Sequence, residues 1–121
     1  VRSVGLTWNN RNLLGDGVMD ARSGGGLSAW GCEVIGELNR LGMLVDLAHL
    51  SPAGFMNALQ ITKKPPIVSH ANAAALCPHP RNLIDEQMTA LSKAGGLLGA
   101  TFVPHFIASS SATVSVLAVH I

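Results

Sequence analysis

The chain has little charge and few aromatic side chains. Of its 121 residues, 12% are charged and 4% are aromatic, and tyrosine is absent. Soluble domains usually carry about 25% charged residues, whereas 48% of the residues here are hydrophobic. Strands this apolar are typical of a sheet whose faces are covered by helices or by a partner layer. We therefore expect the chain to be part of a larger folded body.

Paired cysteines, long apolar runs and an excess of either charge are also missing. Cys32 and Cys77 are too few for a disulfide scaffold, and we expect both to be free thiols. No run approaches the roughly 20 apolar residues of a membrane-spanning helix, and Val1 does not open a signal-peptide pattern. A formal net charge of +1 with scattered Lys and Arg excludes an obvious nucleic-acid surface. The sequence thus predicts no membrane segment and no nucleic-acid partner, and leaves the cellular location open.

Apolar strands and amphipathic helices alternate along the chain. The patterns predict strands over residues 1–8, 43–50, 67–70 and 97–103, with helices over 29–41, 52–62, 85–94 and 112–121. This order favours right-handed crossovers and a parallel sheet. Four such units are half of an eight-stranded barrel. We therefore predict an α/β fold, a partial (β/α)8 TIM barrel, with residues 1–121 as a single partial domain.

Local signals mark the ends of these elements. Ser28 and Ser51 are predicted helix caps, and Gly42 is predicted to close the first helix. Along that helix, one face is predicted to carry the apolar residues Trp30, Val34, Leu38 and Leu41. The stretch 9–27 is rich in Gly, Asn and Asp, and a loop of that length inside a domain is usually functional.

Two histidines come at the ends of neighbouring predicted strands. His49 ends the second strand and His70 ends the third. The carboxyl ends of parallel strands converge on one face, where barrel enzymes build their active sites. Imidazole is the commonest zinc ligand, so the pair could form part of a metal site. The alternative is that each is a hydrogen-bonded structural histidine, and the residues alone leave both interpretations open.

The proline-rich loop after His70 carries Arg81. An arginine held near a metal could bind a substrate carboxylate through its planar, two-pronged guanidinium. The alternative is an ordinary surface arginine at the rim of the barrel.

Three segments resemble signatures of the membrane dipeptidase (renal dipeptidase) family. They are NRLGMLVDLAHLS at residues 39–51, SHANA at 69–73 and CPHPRNLIDEQ at 77–87. The interval of 21 positions between His49 and His70 suits the family spacing, and the resemblance extends over nearly the whole chain. Together these motifs are far more specific than one short pattern.

The resemblance implies an amidohydrolase-like barrel that cleaves dipeptides with metal-activated water. It further implies two zinc ions bridged by a glutamate. Carried over by position, His49 and His70 match ligands of one zinc, and Arg81 matches the residue that binds the terminal carboxylate of the dipeptide substrate. The resemblance therefore predicts a zinc-dependent dipeptidase.

Several family features have no counterpart in this sequence. Trp8 follows Leu-Thr where many members have a histidine, and the His-x-Asp ligands, the bridging glutamate and a late aspartate are missing. We therefore expect an internal or C-terminal-half fragment that is inactive alone. The alternatives are a non-catalytic truncated product, a half-barrel that needs a partner chain or a second copy, and a related amidohydrolase with another substrate. We expect structural roles for His79 and His105, and an exposed position for His120.

Overall fold

Four short strands form one parallel sheet in the computed structural model, which describes residues 1–121. The strands are β1 (Ser3–Gly5), β2 (Leu44–Asp46), β3 (Ile67–Val68) and β4 (Leu97–Leu98), and they lie in the sheet in chain order. All neighbouring pairs are parallel. The predicted α/β order is confirmed, but the strands are shorter than predicted, with three, three, two and two residues.

Five helices accompany the sheet. They are α1 (Ala29–Leu41), α2 (Pro52–Ile61), α3 (Asp85–Lys93), α4 (Pro104–Ile107) and α5 (Val114–Ala118). The short helix α4 was not predicted. A single long strand was expected over residues 97–103, and α4 begins directly after that stretch. Of the predicted last helix, only the five residues of α5 are helical. None of these helices has the length and apolarity required to span a membrane.

The predicted helix ends are confirmed by their hydrogen bonds. The hydroxyl of Ser28 accepts a bond from the Gly31 amide at 3.1 Å, and that of Ser51 accepts one from Gly54 at 3.0 Å. Each satisfies an amide that the first helical turn leaves without a partner. Gly42 ends α1 with φ of 71°, in the left-handed region that favours glycine.

The buried face of α1 differs from the predicted one. Ile35 and Leu38 are buried, whereas Trp30 is 58% exposed and Leu41 is 54% exposed. The helix packs against β2 and α2, so the apolar side chains that face neither element remain at the surface. The prediction of a helix from the 3.6-residue period was correct. The position of the sheet relative to α1 decided which of its residues are buried.

One hydrophobic core joins the sheet to the helices. Among its most buried members are Leu6, Ile35, Val45, Leu47, Phe55, Ala58, Val68 and Leu91. Cys32 and Cys77 are both free, as predicted.

The segment 9–27 is a structured loop that contains one 3₁₀ turn, Val18–Ser23. Inside it, Asp16 is buried and accepts bonds from the Arg11 guanidinium and the Ser23 hydroxyl. The loop is tied to the end of β2, because the Val18 amide donates to the His49 carbonyl at 2.8 Å and the Ser51 amide donates to the Asp16 carbonyl at 2.9 Å. Two backbone hydrogen bonds with the long loop therefore hold the residues that follow β2 in place.

Candidate functional site

The two strand-end histidines meet, as predicted. His49 lies three residues beyond β2 and His70 two residues beyond β3. Their Nε2 atoms are 2.8 Å apart, and the ring planes are inclined by 61°. Two imidazole nitrogens therefore point at one shared position.

His49 has an unusual backbone conformation. Its φ is 69°, and it is the one residue other than glycine with positive φ. Such a conformation is uncommon for a side chain with a Cβ and persists where the surroundings enforce it. Here the His49 carbonyl accepts from the Val18 amide and the ring is stacked on Trp8, with 4.1 Å between ring centroids. Trp8 and the loop 9–27 thus limit where this imidazole points.

Asp46 connects the two strand ends that carry the histidines. Its Oδ1 accepts hydrogen bonds from the amides of Ala48 and Ser69, both at 3.0 Å. Each amide belongs to the residue just before one of the histidines. A single carboxylate oxygen therefore fixes the backbone directly before His49 and directly before His70.

Arg81 is buried, so the interpretation as an ordinary surface arginine is wrong. Only 6% of its surface is exposed, and its Nη2 donates to the His70 carbonyl at 3.2 Å. No carboxylate pairs with it, since the ion pairs of the chain are Arg11–Asp16 and Arg40–Glu37. A buried guanidinium without an anionic partner is costly unless an anion reaches it.

The histidines and Arg81 share an open cavity of about 470 Å³. Its walls are formed by Trp8, Asn9, Met19, His49, His70, His79, Arg81, Val103 and Phe106. The mixture of apolar side chains with a few converging polar groups is typical of a site for a small ligand.

Burial and the charge of Arg81 favour the neutral form of the site histidines. Burial, followed by the nearby Arg81 charge, lowers the pKa of His49 to about 4. The same two causes lower the pKa of His70. Both rings are therefore neutral at pH 7, which is the form in which imidazole binds metal ions.

The remaining histidines lie around or outside this cavity. His79 packs on the Phe106 ring and its Nδ1 accepts from the Arg81 amide, which orders the loop carrying Arg81. His105 is exposed and does not line the cavity. The prediction that His120 is exposed is wrong, because its Nδ1 accepts from the Ala73 amide while its Nε2 contacts the Ile107 carbonyl.

The donor set fits part of a zinc site. At a Zn–N distance of about 2.0–2.1 Å, two tetrahedral ligands have nitrogens roughly 3.3 Å apart, close to the 2.8 Å observed here. A catalytic zinc takes about three protein ligands, whereas no three His, Cys, Asp or Glu side chains of this chain come together. His49 and His70 therefore offer two of the ligands that such an ion needs.

The sequence profile of the membrane dipeptidase family, peptidase family M19, matches residues 1–121. The chain belongs to the membrane dipeptidase family. The family assignment agrees with the resemblance predicted from the three sequence motifs. Members of this family are dipeptidases of the metallopeptidase class.

Known relatives match the chain over almost its full length. It is 40% identical to an uncharacterised dipeptidase of Schizosaccharomyces pombe, over 100% of this chain and 30% of that protein. An amidohydrolase of Pseudomonas aeruginosa has the same fold, with a TM-score of 0.92, 32% identity and coverage of 100% of this chain and 37% of the other. The family fold confirms the predicted partial (β/α)8 TIM barrel.

A third relative was solved with a substrate-like ligand. It is a metallopeptidase of Rhodobacter sphaeroides liganded with a phosphinate mimic of the dipeptide L-Ala-D-Ala. The TM-score is 0.89 at 27% identity, and the match covers 99% of this chain and 37% of that one. The chain thus spans about a third of the length of these three relatives.

Sequence reasoning missed three residues that shape the site. Asp46 stood inside a recognised motif, and its position at the last residue of β2 was the available signal. Asn9 and Phe106 reach the site from segments distant in sequence, at separations of 40 and 27 residues from His49 and His79. Only the folded chain brings these pairs together.

Proposed function

We propose that the protein containing this chain is a zinc-dependent dipeptidase and that this chain supplies part of its metal and substrate site. The observation that carries the proposal is the pair of Nε2 atoms 2.8 Å apart, beside a buried arginine that lacks an anionic partner. In this proposal His49 and His70 bind one zinc ion, and a second zinc completes the site elsewhere in the barrel.

The chemistry that zinc supplies when bound is activation of a water molecule and polarisation of the scissile carbonyl. The residues of this chain bind and orient the substrate. The two-pronged guanidinium of Arg81 donates hydrogen bonds to the terminal carboxylate of the dipeptide, and that carboxylate is the anionic partner that Arg81 otherwise lacks. The centroid of the Phe106 ring lies 5.7 Å from the guanidinium carbon of Arg81, so this ring forms an apolar wall beside that carboxylate.

The isolated chain has too few ligands for a catalytic zinc and has two open sheet edges. Two imidazoles are fewer than the ligands a catalytic zinc takes, so we expect the isolated chain to be inactive on dipeptides. β1 and β4 each have a hydrogen-bonded neighbour on one side only. We infer that the rest of the barrel, or a second chain, covers these edges, since unpaired strand edges promote association.

The carboxylate role is tested with Arg81→Lys and Arg81→Ala in the full-length protein on a panel of dipeptides. We expect KM to rise by about 10- to 100-fold for the alanine variant and less for the lysine variant, because a hydrogen bond to a charged group contributes about 1.5–3 kcal/mol. Arg22→Ala, at an exposed arginine outside the cavity, is the matched control. Unchanged KM in Arg81→Ala would remove the carboxylate role.

The metal role is tested by zinc content. We expect His49→Ala and His70→Ala to lose one equivalent of zinc, while His105→Ala, at an exposed histidine outside the cavity, retains it. Full zinc content in both site variants would contradict the ligand assignment. Hydrolysis of amides other than dipeptides by the full-length protein would favour a related amidohydrolase instead.

A further inference from the structure

We infer that Asn9 is a positioning residue that determines which nitrogen of His49 carries the proton, and thereby keeps Nε2 free to bind a cation. The inference rests on the proposed metal role of His49. Asn9 Oδ1 lies 2.8 Å from His49 Nδ1. An amide oxygen can only accept a hydrogen bond, so Nδ1 is the nitrogen that donates. The lone pair of His49 is then on Nε2, which faces His70.

Asn9 is itself held by the loop that it begins. Its carbonyl accepts from the Met19 amide at 2.9 Å. Gly17 passes so close that a Cβ at that position would overlap the Asn9 carbonyl. The neighbouring Trp8 lies flat on the His49 ring, which limits rotation of the imidazole. The Asn9 amide and the imidazole therefore have little freedom to separate.

The two histidines differ in how they are prepared for a cation. His70 Nδ1 lies 2.8 Å from the Ser69 hydroxyl, which can donate or accept. Because His49 Nε2 carries the lone pair, His70 Nε2 donates to it and His70 Nδ1 accepts from Ser69. For both Nε2 atoms to bind a cation, His70 must lose the Nε2 proton to water and take one from water at Nδ1, where the hydroxyl then accepts. His49 needs no such change.

A side chain that hydrogen-bonds the other ring nitrogen of a metal-bound histidine contributes strongly to metal affinity. Removing one typically weakens metal binding by about 10- to 100-fold. Asn9 is the partner of His49 in this sense, and Ser69 is that of His70. The Asn9 oxygen at His49 can only accept, whereas the Ser69 hydroxyl at His70 can donate or accept. We therefore expect the tautomer of His49 to depend on its partner more strongly than that of His70.

The test is a two-bond ¹H–¹⁵N correlation spectrum of the zinc-free, full-length protein labelled at histidine, recorded at neutral pH. The His49 signals are identified by their loss in His49→Ala. We expect the Nδ1–H form of His49 in the wild type and a shift toward the Nε2–H form in Asn9→Ala. Asn9→Asp, which retains an oxygen acceptor, should keep the Nδ1–H form, and Asn10→Ala serves as the exposed neighbouring control.

Zinc titration gives the second readout. We expect the Kd of Asn9→Ala to rise by about 10- to 100-fold, with Asn9→Asp close to the wild type. A wild-type His49 in the Nε2–H form, or an Asn9→Ala variant with unchanged tautomer and Kd, would overturn the inference. The tautomer is read without metal or substrate, so failure of the dipeptidase proposal would appear separately, as lost hydrolysis or as zinc binding that is indifferent to His49.

Discussion

Replacing Asp46 should weaken both the fold and the proposed metal site. Its Oδ1 accepts from the amides of Ala48 and Ser69. Hydrogen bonds to a charged group contribute about 1.5–3 kcal/mol each, and an amide left without a partner costs about 1–3 kcal/mol. Because the Ser69 end is exposed to solvent, we take the lower part of that range and expect Asp46→Ala to lose about 2–4 kcal/mol of unfolding free energy. Asp46→Asn keeps an oxygen acceptor and should lose about 1 kcal/mol.

The assay is urea unfolding of the full-length protein followed by circular dichroism, together with zinc titration of the folded variants. Glu86→Ala, at an exposed acidic residue in the first turn of α3, is the control and should change stability by less than about 1 kcal/mol. We also expect weaker zinc binding in Asp46→Ala, because the residues preceding both histidines lose their common anchor. An Asp46→Ala variant with the stability and zinc affinity of the wild type would refute this reasoning.

Three further predictions concern the supports of the site. Phe55 is 1% exposed in the core, so Phe55→Ala should lose about 3–5 kcal/mol in urea unfolding, and equal stability would contradict the packing described. The Arg11 hydrogen bond, followed by that of Ser23, lowers the pKa of Asp16. The stability that ionised Asp16 contributes to the fold is therefore complete above its unfolded pKa and is lost as pH falls through its folded pKa. Stability curves of Asp16→Asn should therefore be flatter than those of the wild type below about pH 4, and parallel curves would refute this. Gly17→Ala should lower the melting temperature, since a Cβ there overlaps backbone atoms of residues 9 and 10, and an unchanged melting temperature would show that the loop adjusts freely.

Much of the fold was predictable because its signals are local. The caps at Ser28 and Ser51 and the turn at Gly42 depend on a few neighbouring residues, and each is confirmed. The convergence of His49 and His70 followed from topology, because parallel neighbouring strands bring their carboxyl ends to one edge. The family resemblance of the three motifs is confirmed by the profile match.

The details that decide the chemistry depended on distant contacts. The buried face of α1 was misplaced because periodicity does not reveal the direction of the sheet. The burial of Arg81 and the two hydrogen bonds of His120 arise from packing between segments far apart in sequence.

The amino-acid sequence by itself determined the order of strands and helices and their caps, since these follow from near neighbours, and it pointed to the residues proposed to bind a metal ion. The tertiary structure alone decided which hydrogen bonds orient His49 and His70. The contact of Asn9 with His49 and the link from Asp46 to Ser69 join residues 40 and 23 positions apart. Hydrogen bonds at such separations exist only once the core has brought the strand ends and the loop together.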